Sequence, residues 1–224
     1  MRWMFAFFLP FPNSSNWLRP VFISCLAFTV FFLTRTTVGA QKVELPDTSD
    51  VNFSAKLVWK TKGRTSKALL FVKNDRYRIE HLGGVKTELG YAGVMIVRLD
   101  EQKVWYILSK RRMVVSVPLT SEYLLPFSVT MDGEIGRTLI GESMVGDRSA
   151  VLYELVVEDQ FGQTERFFEW VDPDRNVLLK LLSQDRDWFV EYSHVVLSPQ
   201  PEYYFNPPLG YRMIEAQEAI IPRG

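Results

Sequence analysis

The sequence has one cysteine, two histidines and no excess of charge of either sign, with 26 Lys and Arg against 26 Asp and Glu. Nucleic-acid-binding proteins typically carry a basic excess, so the balanced charge argues against that function. Cys25 lies inside an apolar run, and the rest of the chain has no thiol for catalysis, disulfide formation or metal binding. An aromatic content of 14% argues against intrinsic disorder.

The first 40 residues contain no acidic side chain and have the features of a targeting segment. Arginines precede an uncharged apolar run at residues 21–33, which is short for a membrane span. Val38 and Ala40 provide the small residues that a signal peptidase recognises. This pattern predicts a signal peptide over residues 1–40, cleaved between Ala40 and Gln41. An uncleaved signal anchor is the alternative.

Alternating apolar and polar residues recur throughout the remaining chain, whereas helical periodicity is nearly absent. In the first alternating segment, Phe53, Ala55 and Leu57 alternate with polar residues, and only Val58 interrupts the pattern. We predict ten or eleven strands with short connections between residues 51 and 197, and we expect Gly83-Gly84 to end the third strand. Strands at this spacing predict an all-antiparallel sandwich, barrel or curled sheet.

Two segments depart from the strand pattern. Residues 119–131 are apolar with a single acidic side chain, which predicts a short helix and loop lying across one face of the sheet. Residues 199–224 are rich in Pro and Tyr. We expect residues 203–211 to dock on the sheet and residues 215–224 to form an exposed tail.

Known catalytic and metal-binding motifs are absent from the sequence. The segment around Ser143 lacks the last glycine of a nucleophile elbow, and there is no HExxH motif or glycine-rich phosphate loop. The turn after Asp172 lacks the glycine and the glutamate of a calcium-binding loop. His81 and His194 follow the strand alternation, which places them on sheet faces. We therefore expect no enzyme activity, no metal site and no cofactor.

A sheet with one apolar face must cover that face with another layer. Only residues 119–131 are available for this purpose, so the predicted sheet is large relative to its cover. A curled sheet with a partly filled apolar lining could hold an acyl chain, since ligand sites are mostly apolar and concave. A lining filled by its own side chains, as an ordinary core, fits the sequence equally well.

Five stretches, in this order along the chain, resemble the LolA/LolB-like superfamily of periplasmic outer-membrane lipoprotein carriers and their relatives. The resemblance covers nearly all of residues 51–214. The stretches are residues 51–57, residues 100–108 with 112–115, residues 141–155, the W-x-D-P-like residues 169–180, and residues 205–211, which are similar to the closing F-x-x-P-x-G-Y of an uncharacterised exported branch.

The resemblance implies a mainly β domain over residues 41–214, an unclosed antiparallel barrel with a short helical lid. It implies a periplasmic protein that binds lipid or acylated lipoprotein in an apolar cavity without chemistry, with a membrane or protein partner left open. We expect a monomer. The implied lining residues are Leu57, Trp59, Leu70, Tyr77, Ile79, Trp105, Met113, Val115, Tyr153, Leu155, Trp170 and Tyr192. The implied lid residues are Leu119, Tyr123, Leu124, Leu125 and Phe127.

The resemblance also implies a strand arginine that holds the lid, for which Arg64, Arg76 and Arg78 are candidates. Two other functions stay open at this point. One is a periplasmic protein-interaction or sensor domain on the same fold, because a fold does not fix a function. The other is a hydrolase whose carboxylates come from distant strands.

Overall fold

The computed structural model describes residues 51–216, apart from Lys62 and Glu88. These residues form a single twelve-stranded sheet with short 3₁₀ turns at residues 109–111, 121–123 and 202–205. The strands are β1 (Asn52–Thr61), β2 (Arg64–Lys73), β3 (Arg76–Thr87), β4 (Gly90–Arg98), β5 (Lys103–Leu108), β6 (Met113–Pro118), β7 (Glu134–Val145), β8 (Arg148–Glu158), β9 (Thr164–Asp172), β10 (Val177–Ser183), β11 (Phe189–Val196) and β12 (Arg212–Glu215).

The strand order is β12-β6-β5-β4-β3-β2-β1-β11-β10-β9-β8-β7. Two antiparallel meanders, β1–β6 and β7–β11, are therefore joined at the centre of the sheet by the β1–β11 pair. The sheet does not close, and β7 and β12 are its two edges. This open, mainly antiparallel arrangement confirms the predicted fold class.

Side-chain alternation gives the sheet an inner face that holds the main hydrophobic core. In β1 the buried residues are Phe53, Ala55 and Leu57, with Lys56 exposed between the last two. Tyr77 on β3 and Tyr192 on β11 extend the same face and are almost fully buried. The core is therefore continuous across both meanders.

Residues 119–131, here named the covering segment, pack against this inner face. Leu119, Tyr123, Phe127 and Met131 are all buried within the core cluster. The segment joins β6 to β7 and contains one short 3₁₀ turn at residues 121–123. The prediction that this stretch lies across one face of the sheet is confirmed, although its helical part is a single turn.

A second, smaller cluster lies on the outer face and consists of Ile96, Trp105, Ile107 and Val114, with Tyr211 packed against it. The Pro- and Tyr-rich segment covers part of this face. Within it, the Tyr204 ring meets the Phe71 ring at 4.9 Å between centroids, and Phe205 is fully buried. Docking of this segment on the sheet was correctly predicted.

Two local features differ from the sequence prediction. Gly83 and Gly84 do not end the third strand, because β3 continues to Thr87 through a β-bulge in which both glycines have positive φ angles. The second difference is β12, which pairs with β6 in parallel and was not predicted. It ends at Glu215, a residue that we had expected to begin the exposed tail.

The predicted signal peptide and its cleavage site, and residues 217–224 of the predicted tail, lie outside the described residues. Within residues 51–216, no helix is long and apolar enough to cross a membrane.

Candidate functional site

Most of the residues predicted to line an apolar site lie together on the inner face. Trp59 and Tyr153 are half-buried and pack against the core cluster. The others are at most 4% exposed, so in this structure the lining is covered. These buried lining residues are Leu57, Leu70, Tyr77, Ile79, Met113, Val115, Leu155 and Tyr192.

Trp105 lies elsewhere, whereas Trp170 is half-buried and packs against the core cluster. Trp105 alternates with Val104 and Tyr106, and it belongs to the outer-face cluster, where the Arg98 guanidinium lies 5.1 Å from its ring centroid. Five consecutive buried residues in β5 hide the alternation from the sequence. Trp170 follows the buried Glu169, and its indole N–H donates a hydrogen bond to the Ser143 hydroxyl at 3.0 Å.

Tyrosine hydroxyl groups on the inner face hold the covering segment by its backbone. The Tyr77 hydroxyl donates a hydrogen bond to the Tyr123 carbonyl, and the Tyr192 hydroxyl donates to the Pro126 carbonyl at 2.7 Å. The Tyr106 hydroxyl donates to the Tyr123 hydroxyl at 3.2 Å. Burial raises the pKa of Tyr77, Tyr106 and Tyr192, so these groups keep their protons and act as hydrogen-bond donors.

Phe127 is the main apolar anchor of the covering segment. Its ring centroid lies 5.7 Å from that of Phe53, 5.4 Å from that of Tyr77 and 5.9 Å from that of Tyr192. The two closest contacts are edge-to-face, an arrangement that adds about 0.5–1.5 kcal/mol per pair to the burial of the rings. Leu124 and Leu125, also predicted as lid residues, are half-buried against the same core.

The arginine that reaches the covering segment is Arg137 on β7, and the three sequence candidates were wrong. One Arg137 nitrogen donates to the Val129 carbonyl at 2.6 Å, and the others contact the carboxylates of Glu134 and Glu169. Each of the three candidates is placed elsewhere: Arg64 is exposed at the start of β2, Arg76 pairs with Glu202, and Arg78 lies over the Tyr204 ring.

Glu169 is a buried carboxyl group beside the covering segment's arginine that sequence reasoning missed. Its side chain has no exposed surface, one oxygen accepts a 2.6 Å hydrogen bond from Arg137, and the other has no partner among the described residues. Burial raises the pKa of the carboxyl to about 7, although Arg137 acts in the opposite direction. The signal was in the sequence, because Glu169 alternates with Phe167 and Val171, both of which are buried.

His81 is a half-buried titratable group on the inner face. Its ring centroid lies 5.7 Å from that of Trp59, and its Nε2 atom has no hydrogen-bond partner among the described residues. Burial lowers the pKa of the imidazole to about 4, so the ring is neutral at pH 7. A neutral imidazole beside an indole ring adds to the apolar character of this end of the face.

The inner face thus combines an apolar lining with the covering segment that is packed against it. Arg137, which is paired with Glu169, and the hydroxyl groups of three tyrosines contact the covering segment through its carbonyl groups and the Tyr123 side chain. Within residues 51–216, no group of three or more His, Cys, Asp or Glu side chains is placed to hold a metal ion.

No protein-family model and no curated protein sequence matches the chain. Several solved structures are similar to it. MucB matches with a TM-score of 0.50 and 18% identity, over 74% of this chain and 60% of that one. MucB in complex with MucA matches with a TM-score of 0.45 and 16% sequence identity, over 73% of this chain and 56% of that chain.

Two further structures have lower scores or identities. An uncharacterised conserved protein from Thermus thermophilus matches with a TM-score of 0.47 and 13% identity, over 74% of this chain and 91% of that one. A LolA superfamily protein from Nitrosomonas europaea matches with a TM-score of 0.32 and 10% sequence identity, over 69% of this chain and 90% of that chain.

The chain therefore spans at most 60% of the MucB chains to which it is similar. The similarity to MucB at a TM-score of 0.50 shows that the two proteins share a fold over the matched part of each chain.

Proposed function

We propose that this protein is exported to the periplasm and binds the acyl chains of a lipid or lipoprotein on its inner face, without catalysing a reaction. The observation that carries the proposal is the covering segment. It seals an apolar face that spans both meanders, yet its residues form no strand of the sheet.

The covering segment is held by few polar contacts. Its carbonyl groups accept hydrogen bonds from Tyr77, Tyr192 and Arg137. A hydrogen bond contributes about 0.5–1.5 kcal/mol net, or about 1.5–3 kcal/mol when one partner is charged. Releasing all three therefore costs roughly 3–6 kcal/mol.

An acyl chain could offset that cost. Burial contributes about 0.8 kcal/mol for each methylene group, so a chain of about twelve methylenes contributes about 10 kcal/mol. The entering chain must also replace the contacts of Phe127, which fills the space between Phe53, Tyr77 and Tyr192. Burial of Leu119, Phe127 and Met131 contributes about 1.5–3 kcal/mol for each side chain, so binding requires that the acyl chain take over the apolar surface that these residues cover.

Native mass spectrometry of the protein purified from a bacterial periplasm, with lipid extraction of the same sample, tests the proposal directly. We expect an additional mass of lipid size. The Leu124→Asp variant places a charge in the covering segment, and we expect its spectrum to lack the additional lipid mass. The Leu209→Asp variant is the matched control, because Leu209 is 98% exposed and lies outside the covering segment.

Loosening the cover gives an independent kinetic test. Tyr192→Phe removes the hydroxyl that donates to Pro126 and leaves the ring in place. We expect faster uptake and release of a fluorescent fatty acid by this variant than by the original protein. A clean apoprotein mass, unchanged by added lipid, would contradict acyl-chain binding and favour binding of a protein instead.

A further inference from the structure

Six exposed basic side chains lie at one end of the sheet. In an antiparallel meander every second turn is at the same end, so the β1–β2, β3–β4 and β5–β6 turns lie side by side. The segment that leads into β12 joins them, because β12 runs parallel to β6. The six side chains, here named the basic end, are Arg64, Lys86, Lys110, Arg111, Arg112 and Arg212.

Short distances between neighbouring turns show that the basic end is continuous. A Cβ atom at Gly90, the first residue of β4, would lie 3.6 Å from the Arg111 Nε atom. A Cβ atom at Gly210 would lie 3.6 Å from an Arg112 nitrogen, and the Arg212 amide donates a hydrogen bond to the Arg112 carbonyl at 3.0 Å. From β2 to β12 the basic end extends over five strand spacings, or roughly 24 Å along the sheet.

Within the described residues, none of these six side chains is in an ion pair. The turns between the strands contain one acidic residue, Glu88, which lies outside the described residues. At the opposite end of the same meander, by contrast, Lys73, Arg76, Arg98 and Lys103 are all in ion pairs. Positive charge is therefore concentrated at one end of a chain that has no net charge.

An exposed aromatic ring lies among these charges. Tyr91 is the pairing partner of Lys86 across β3 and β4, and it is 60% exposed. Tyrosine is enriched at the boundary between lipid headgroups and hydrocarbon, because its ring is apolar and its hydroxyl group is polar. A soluble polyanion supplies negative charge alone, whereas a bilayer supplies phosphate groups beside an apolar layer. The combination of cations and an exposed ring thus favours a membrane as the partner.

We propose that the basic end docks the protein on the surface of a membrane that contains anionic phospholipids. The six cations contact the headgroup phosphates, and the Tyr91 ring lies at the boundary with the hydrocarbon. Each Lys or Arg near an anionic bilayer strengthens binding by about fivefold. Because the cations occupy one end of the sheet, docking orients the strands of the first meander end-on to the membrane.

Co-sedimentation with lipid vesicles tests the proposal. The protein purified from a bacterial periplasm is mixed with vesicles of phosphatidylglycerol and phosphatidylcholine, or of phosphatidylcholine alone, with identical acyl chains. We expect binding to the anionic vesicles only, and its loss at about 1 M salt, where the Debye length is about 3 Å. Equal binding to both kinds of vesicle, or binding to neither, would overturn the proposal.

Paired substitutions locate the docking surface. Lys110→Gln combined with Arg111→Gln removes two cations of the basic end and should weaken binding to anionic vesicles by about 25-fold. Lys56→Gln combined with Arg175→Gln is the matched control, because it removes the same charge from exposed positions on β1 and in the β9–β10 turn. The control should bind as the original protein does. Equal losses for both pairs would show that net charge, and not the basic end, determines binding.

Two further measurements complete the test. Binding to polyglutamate in solution without binding to anionic vesicles would overturn the proposal and assign the basic end to an acidic protein. Circular dichroism and the melting temperature show whether each variant folds, and Arg64→Gln combined with Lys86→Gln is a second pair that should weaken binding to a similar extent. A failure of acyl-chain binding on the inner face would leave these results unaffected, because both kinds of vesicle carry the same acyl chains.

Discussion

The buried carboxyl of Glu169 should make the protein less stable as the pH rises from 4.5 to 7. Its pKa is about 7 in the folded protein, against 4.5 as the ordinary value. Between these values the native state holds a proton that the unfolded state has lost, so a rise in pH favours unfolding. At about 1.4 kcal/mol per pH unit, the free energy of unfolding falls by about 3 kcal/mol from this group alone.

Urea denaturation at a series of pH values measures this contribution. The Glu169→Gln variant keeps the shape of the side chain but cannot ionise. The free energy of unfolding of the variant minus that of the original protein should therefore rise by about 3 kcal/mol between pH 4.5 and 8. Taking the difference removes the effects of all other titrating groups.

Glu154→Gln is the matched control, because Glu154 lies on the neighbouring strand β8 and pairs with the half-exposed Arg166. It shows the effect of the same amide substitution at an ion pair on the protein surface. A profile for Glu169→Gln that runs parallel to that of the original protein would refute the reasoning, since it would show that Arg137 compensates for the burial of the carboxylate at every pH.

Three further changes give distinct outcomes. In Gly133→Ala the new Cβ would lie 2.3 Å from the Glu158 carbonyl oxygen at a φ of +75°, so calorimetry should show a loss of at least roughly 1–3 kcal/mol. For His81, whose pKa is lowered to about 4, stability should fall as the pH drops from 6.5 to 4, and His81→Leu should remove that fall in urea titrations. Trp105→Ala should cost about 3–5 kcal/mol by chemical denaturation but leave lipid uptake unchanged.

Each of these has an informative comparison. Gly63 also has a positive φ of 77°, but a Cβ at that position would have nothing within 4 Å, so Gly63→Ala separates backbone strain from the clash at Gly133. Equal losses for both glycines would contradict the predicted clash. If the stability of His81→Leu still falls between pH 6.5 and 4, other titrating groups cause that fall. Reduced lipid uptake in a folded Trp105→Ala protein would show that the outer face contributes to binding.

The sequence predicted the strands better than the faces on which individual residues lie. Eleven of the twelve strands follow from alternation and turn residues, and β12 was missed because four residues of a Pro-rich segment carry too little pattern. In β5 five consecutive residues are buried, so alternation could not separate Trp105 from Tyr106. That assignment required knowledge of the layer on each side of the sheet.

At the candidate site, too, the sequence predicted the segments but not the contacts between individual side chains. The apolar character of residues 119–131 and their position across one face followed from composition and from the need to cover a one-sided sheet. The arginine that holds them could not be identified, because Arg137 and Val129 meet through side-chain reach and the path of the segment. Glu169 could have been suspected as an inward-facing charge, but its partner could not.

The sequence by itself determined a chain of short strands with an apolar face and one segment to cover it, because period-two alternation and turn residues are local properties. Only the tertiary structure decided the order of the strands, that Arg137 and Glu169 form a pair 32 residues apart, and that β7 is left as a free edge. Strand order and burial depend on contacts between residues distant in the chain, and no local pattern encodes which partners those will be.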